Sequence, residues 1–113
     1  LVEVAREVAG EEHHFRFVQL PFSLEIPDVL EAGVLNVAGE LGITVIASAP
    51  LGQGRLTGGL SEAIQFARSA PGIAAAVVGM SSSRQVEENL AVASRPPLTR
   101  REFERVRRMG ARP

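Results

Sequence analysis

Three short apolar runs pace the chain: FRFVQLPF at Phe15–Phe22, ITVIA at Ile43–Ala47 and IAAAVV at Ile73–Val78. Each is rich in β-branched, aromatic or small apolar residues and is bounded by Gly, Pro or polar residues, so each predicts a strand. The gaps between them are long enough for a helix and carry apolar residues at helical spacing. Strands joined by helical crossovers lie parallel, because a tight hairpin returns the chain antiparallel. The second and third runs are apolar without alternation, which predicts strands buried on both faces.

The helices are delimited by their caps. Leu1, Val4, Ala5 and Val8 share one helical face and Gly10 suits the C-terminus. Glu11–His14 then forms a polar connector, in which His13 and His14 are read as solvated. A second helix is predicted from Pro27, with Asp28 and Glu31 at capping-box spacing, an apolar stripe of Leu30, Val34, Val37, Ala38 and Leu41, and Gly42 as its stop. After a Gly-rich loop from Ala49 to Gly59, Ser61 is expected to cap a third helix that buries Leu60, Ala63, Ile64 and Ala67 before Pro71-Gly72. Ser82 and Gln85 stand at capping-box spacing for a fourth, with Val86, Leu90 and Ala93 as its buried face, broken by Pro96-Pro97. Thr99 and Glu102 do the same for a fifth, with Phe103, Val106 and Met109 inward and Arg100, Arg101, Arg107 and Arg108 on the wet side. Phe15, Phe17 and Phe22 are assigned to the core. The predicted order is α-β-α-β-α-β-α-α in a single domain over residues 1–113.

Composition removes most chemistry. The chain has no Cys, Lys, Tyr or Trp; its 12 basic residues are all Arg, and Asp28 is its one Asp. That excludes disulfides, thiolate nucleophiles, Cys-based metal sites, Schiff bases and a phenolic proton donor. A net charge of −1 gives no general attraction to nucleic acid or anionic membrane. No apolar run reaches the ~20 residues of a membrane-spanning helix and no signal peptide is visible, so a cytoplasmic protein is expected. The chain begins in a helical pattern at Leu1 without Met, which points to a start upstream.

Ligands of parallel α/β folds gather at the carboxyl ends of the strands. Those ends lead into Gln19-Leu20-Pro21, Ser48–Gly59 and Gly79–Ser83. The middle segment, with Gly52, Gly54, Gly58 and Gly59, suits either a nest of N–H groups for phosphate or an ordinary surface loop. It is neither a P-loop nor a GxGxxG dinucleotide fingerprint. The last segment offers a helix N-terminus, serine hydroxyls and Arg84, which suits a phosphomonoester or simple capping.

Taken together, APLGQGRLTGG after one strand, VVGMSSSRQVEENL around the next and VQLP in the first resemble the C-terminal third of an aldo/keto reductase, over roughly residues 1–106. The resemblance implies strands six to eight of a (β/α)8 TIM barrel, present as three parallel βα units flanked by an N-terminal and a C-terminal helix. It implies NADP(H) as cofactor. Gln19 would meet the nicotinamide carboxamide, and Pro50, Leu51, Gly52, Gln53 and Gly54 would line the pyrophosphate. Gly79, Ser81, Ser82, Gln85, Glu88 and Asn89 match the family's adenosine-gripping stretch. Within it Ser81 and Gln85, with Arg84, would hold the 2′-phosphate, while Glu88 and Asn89 would meet the adenine. Ser48 stands where the family usually places an aromatic ring against the nicotinamide.

The family's catalytic Asp, Tyr, Lys and His come from the first half of its barrel, and this chain carries no Tyr or Lys. A whole barrel takes ~250 residues, and three units leave two open sheet edges and an uncovered inner face. The expectation is therefore a partial reductase that keeps the cofactor grip, completed by the missing N-terminal half-barrel or by self-association. The alternatives are a non-catalytic, self-associating half-barrel scaffold, or a hydrolase using Ser81–Ser83 with His13 or His14.

Overall fold

The computed structural model describes residues 1–22, 32–48 and 59–110, with Gly59, Leu60 and Gly110 described by backbone alone. The Asp28–Glu31 capping box, Leu30, the loop carrying Pro50, Leu51, Gly52, Gln53 and Gly54, and the last three residues lie outside that description. The described elements are α1 (Val2–Ala9), β1 (Phe17–Pro21), α2 (Val34–Glu40), β2 (Thr44–Ser48), α3 (Gly59–Ser69), β3 (Ile73–Val77), α4 (Ser83–Ala93) and α5 (Arg100–Gly110). The three strands form one parallel sheet in the order β1-β2-β3. Phe17 pairs with Thr44 and Pro21 with Ser48, while on the other side Ser48 pairs with Val77. One irregularity between Val45 and Ile46 gives β3 an extra residue, Ala74.

The helices pack on one face of this sheet. Side chains alternate along a strand, so Val18, Leu20, Val45, Ala47, Ile73 and Ala76 point to the same side. There they meet two apolar clusters. The first joins Val2 of α1 and Leu35 and Ala38 of α2 to Ile43 and Val45, with Phe15, Val18 and Leu20 against it. The second joins Ala47 to Phe66, Ala67 and Ala70 of α3, Phe103 of α5 and Phe22. Its centre is a stack of three rings: Phe22 lies 5.2 Å from Phe66, and Phe66 lies 4.8 Å from Phe103, centroid to centroid. Ile73 packs against both clusters.

The opposite face carries Phe17, Gln19 and Pro21, then Thr44, Ile46 and Ser48, then Ala75 and Val77. Phe17 and Val77 are 63% and 51% exposed. β2 and β3 are thus covered on one face among the described residues, and the expectation of burial on both is corrected. The runs are apolar throughout, but helices reach only one side of them.

Glycine sets two of the turns. Gly42, at φ +72, ends α2 with paired bonds: its N–H donates to the Gly39 carbonyl at 3.2 Å, and the Ile43 N–H donates to the Ala38 carbonyl at 2.8 Å. This left-handed stop satisfies carbonyls that the helix end leaves open. Gly72, at φ +94, turns the chain into β3 where a Cβ would stand 3.3 Å from Leu35 Cβ of α2.

Several sequence expectations about helix faces change. Leu35, not Val34 or Val37, is the buried aliphatic residue of α2 beside Ala38. In α4 the buried residue is Val92, while Val86, Leu90 and Ala93 are exposed. In α1 only Val2 is buried, and Leu1, Val4 and Val8 face outward. Phe17 is outside the core and Met109 is 60% exposed. Ser61 lies inside α3, which begins at Gly59. Helical spacing finds a stripe; its direction depends on what each helix docks against. The Thr99–Glu102 capping box forms in full, the Thr99 N–H donating to Glu102 Oε2 at 2.9 Å and the Glu102 N–H to Thr99 Oγ1 at 3.2 Å.

Polar side chains of α3 hold the connection that follows α4. Gln65 Nε2 donates to the Pro96 carbonyl, the Arg68 guanidinium donates to the Val92 and Arg95 carbonyls, and Ser69 Oγ accepts from the Leu98 N–H at 2.9 Å. These bonds give partners to backbone groups at the end of α4 and in the irregular segment after it, tying that segment to α3.

Candidate functional site

Because the strands are parallel, their carboxyl ends form one rim: Pro21, Ser48 and Val77 lie side by side in register. The Phe22 N–H donates to the Ser48 carbonyl at 3.1 Å, closing the rim between β1 and β2. Gln19 lies one pleat below Pro21 on the open face and is exposed; Ser48 is half-buried on the same face. Beyond β3 the chain runs through Gly79, where an added Cβ would meet nothing within 4 Å, into the N-terminus of α4. The fold therefore brings Gln19, Ser48 and the Gly79–Gln85 segment to one end of the sheet, with Gln19 and Ser48 on its open side. Sequence reading alone did not place Pro21 and Val77 beside Ser48; pairing register, which leaves no mark in the local sequence, does so.

The first turn of α4 is built by its own side chains. Ser82 is the N-cap, its Oγ accepting from the Gln85 N–H at 3.2 Å. Gln85 Oε1 in turn accepts from the Ser81 N–H at 2.7 Å and from the Ser81 hydroxyl at 3.1 Å. Ser81 and Gln85 thus serve each other, and simple capping explains their spacing as well as a ligand would. Arg84 pairs with Glu88 one turn on, Nε to Oε1 at 3.0 Å, with the arginine side chain 87% exposed. Asn89 is half-buried on the same helix.

The fit of these residues to a phosphate can be judged from the same contacts. The helix end supplies a positive dipole, and Gly79 fronts open space. The Arg84–Glu88 pair is exposed, and such pairs contribute only about 0–1 kcal/mol. Turning Arg84 from Glu88 to a phosphate is therefore inexpensive. The helix end and Arg84 suit an anion, while Glu87 and Glu88 in the same helix oppose one.

His13 departs from expectation. It is 3% exposed, and its Nδ1 accepts from the Phe15 N–H at 3.2 Å. Burial, then the charges of Arg16 and Arg6, hold its pKa below the ordinary 6.5. It precedes β1, so it lies at the amino ends of the strands, whereas Ser81–Ser83 follow β3 at the carboxyl ends. The two groups that a serine hydrolase would need are kept at opposite ends of the sheet. Among the described residues no group of three His, Asp or Glu side chains could hold a metal ion, and no helix is long and apolar enough to cross a membrane. No family model and no curated protein matches the chain.

Proposed function

We propose that this chain is the cofactor-gripping part of an aldo/keto reductase-like (β/α)8 barrel that binds NADP(H). The observation that carries the reading is the one-sided sheet: three parallel strands in sequential order, with the packed helices on one face and, among the described residues, none on the other. A doubly wound sheet carries helices on both faces, whereas a barrel wall keeps them all outside. That face also carries Gln19 at mid-strand and Ser48 at its rim, with the Gly79–Asn89 segment beyond β3, where the resemblance puts the cofactor.

In this reading Arg84 turns from Glu88 to the 2′-phosphate as a forked donor. Ser81 and Ser82 add hydroxyls beside the helix end, and Glu88 and Asn89 accompany the adenine. Pro50, Leu51, Gly52, Gln53 and Gly54 would line the pyrophosphate, and Gln19 would hold the nicotinamide from β1. A reduced nicotinamide, when bound, supplies hydride to a carbonyl carbon. The proton donor the resemblance implies is a Tyr, and this sequence has no Tyr or Lys, so in this reading the matching proton comes from the first half of the barrel. The partner is therefore the N-terminal half of the barrel, and the cytoplasm is the compartment in which the pair would work.

Titration of the whole chain with NADPH, followed by cofactor fluorescence, is expected to saturate, with NADH much weaker because it lacks the 2′-phosphate. No saturable change at millimolar NADPH overturns the reading.

A second reading, a self-associating scaffold, has its own observation. Leu1, Val4 and Val8 at and on α1, and Val86 and Leu90 on α4, are exposed. Exposed apolar stripes of this kind favour association. That reading expects oligomers by light scattering and no effect of NADPH on melting; a monomer at all concentrations removes it.

A further inference from the structure

Among the described residues, α1 buries little against the sheet. Of α1's side chains only Val2 is buried, against Leu35, Ala38, Ile43 and Val45. The chain then passes through a bonded turn that leads from Gly10 into β1. There the His13 N–H donates to the Gly10 carbonyl at 3.2 Å, and His13 Nδ1 accepts the Phe15 N–H. Arg16 closes the same turn by donating to the Glu11 carbonyl at 2.8 Å, while Arg6 of α1 reaches the Glu11 carboxylate at 3.4 Å.

We infer that the His13 turn is a proton-operated latch, which holds α1 on the sheet while the imidazole is neutral and releases it in mild acid. An imidazole accepts at Nδ1 only when that nitrogen carries no proton; the imidazolium has N–H at both positions and faces the Phe15 N–H donor to donor. The charges that face His13 are Arg6 on α1 and Glu11, His14 and Arg16 on the connector. Arg16, Arg6 and His14 oppose its protonation; Glu11 alone favours it, and Glu11 is already engaged by Arg6. The buried, folded imidazole is therefore a weaker base than a free one. Above the ordinary pKa of 6.5 the ring is neutral whether α1 is docked or not, and the latch contributes fully. As the pH falls below 6.5 the undocked state takes up the proton first, and the contribution shrinks until the pH passes the folded value. Release would bare Val2, Phe15 and Val18 and open the apolar cleft of about 500 Å³ that α1 and α2 wall.

The test is amide hydrogen exchange on the whole chain between pH 8 and pH 5, read as protection factors. Protection in α1 and at Phe15 is expected to fall by up to about tenfold per pH unit below the ordinary imidazole pKa, while β2 stays protected. His13→Asn, whose side-chain oxygen can accept the same i+2 N–H without titrating, is expected to keep α1 protected throughout. His14→Ala is expected to behave as the parent chain. The imidazole carbon shifts of the parent chain report the His13 tautomer and its titration without any substitution. The latch is overturned by α1 protection that does not change with pH, by β2 protection lost together with α1, or by loss that persists in His13→Asn. A His13 ring that titrates with α1 still docked overturns it as well.

Discussion

The two faces of the sheet are made of similar residues and live in different surroundings. Val45 and Ala47 of β2 are 1% and 0% exposed beneath the helices, while Thr44, Ile46 and Ser48, alternating with them, are half-buried. Phe22 is sealed in a stack of three rings, whereas Phe17, five residues earlier and equally apolar, is 63% exposed. Among the described residues the first face is a packed core, and the second carries apolar side chains with no helix over them. A parallel sheet normally has both faces covered, and the described residues cover one. In the proposed reading the N-terminal half-barrel covers the other.

The sharpest way to break this contrast is to truncate a ring on each side. Phe66→Ala removes the middle of the stack and is expected to lower stability by about 3–5 kcal/mol, measured by urea unfolding. Phe17→Ala on the open face is expected to stay within about 0.5 kcal/mol. Equal losses would mean that the open face is covered in solution, and would favour the self-associating scaffold.

Next in size is Gly72→Ala, which probes how tightly the covered side is joined. The backbone there is left-handed, and a Cβ would press on Leu35 at 3.3 Å. A loss of about 1–2 kcal/mol is expected from the backbone alone, and a neutral thermal midpoint would show that α2 can yield. Ser82→Ala at the rim removes the N-cap of α4 and is expected to lower stability by about 1 kcal/mol; amide exchange in the first turn of α4 should rise with it. The smallest effect on folding belongs to Arg84→Ala, because its pair with Glu88 is exposed: less than about 0.5 kcal/mol. The same substitution is expected to weaken NADPH binding by tenfold or more, because a charge-assisted bond contributes about 1.5–3 kcal/mol. Loss of stability without loss of affinity at Arg84 would detach the rim from the cofactor.

Much of the architecture was legible along the chain because it rests on local signals. Apolar runs flanked by Gly and Pro marked all three strands to within two residues. Ser82 with Gln85 and Thr99 with Glu102 marked two helix starts, since a cap needs only neighbours a turn apart. Gly42 and Gly72 marked turns that require positive φ. What was illegible involves residues distant in sequence. Leu35 rather than Val34 faces the sheet because α2 docks over Val45 and Gly72. Gln65, Arg68 and Ser69 serve carbonyls and an N–H 24–31 residues away, a partnership that no local pattern announces. His13 looked like a solvated connector residue because its polarity is local, but its burial is not.

The candidate site divides the same way. Its residue types and their spacing were in the sequence, and so was the absence of any Lys or Tyr. That Gln85 is spent on Ser81, that Arg84 is held by Glu88, and that Gln19 and Ser48 share one open face are matters of side-chain direction and pairing register. By itself, then, the sequence determined the alternation of strands and helices, the caps, and the chemistry the chain cannot perform, because these follow from residue identity and short spacings. Only the tertiary structure decided which apolar residues are covered, which face of the sheet is left open, and where His13 lies, because those depend on what packs against each element after the chain has folded.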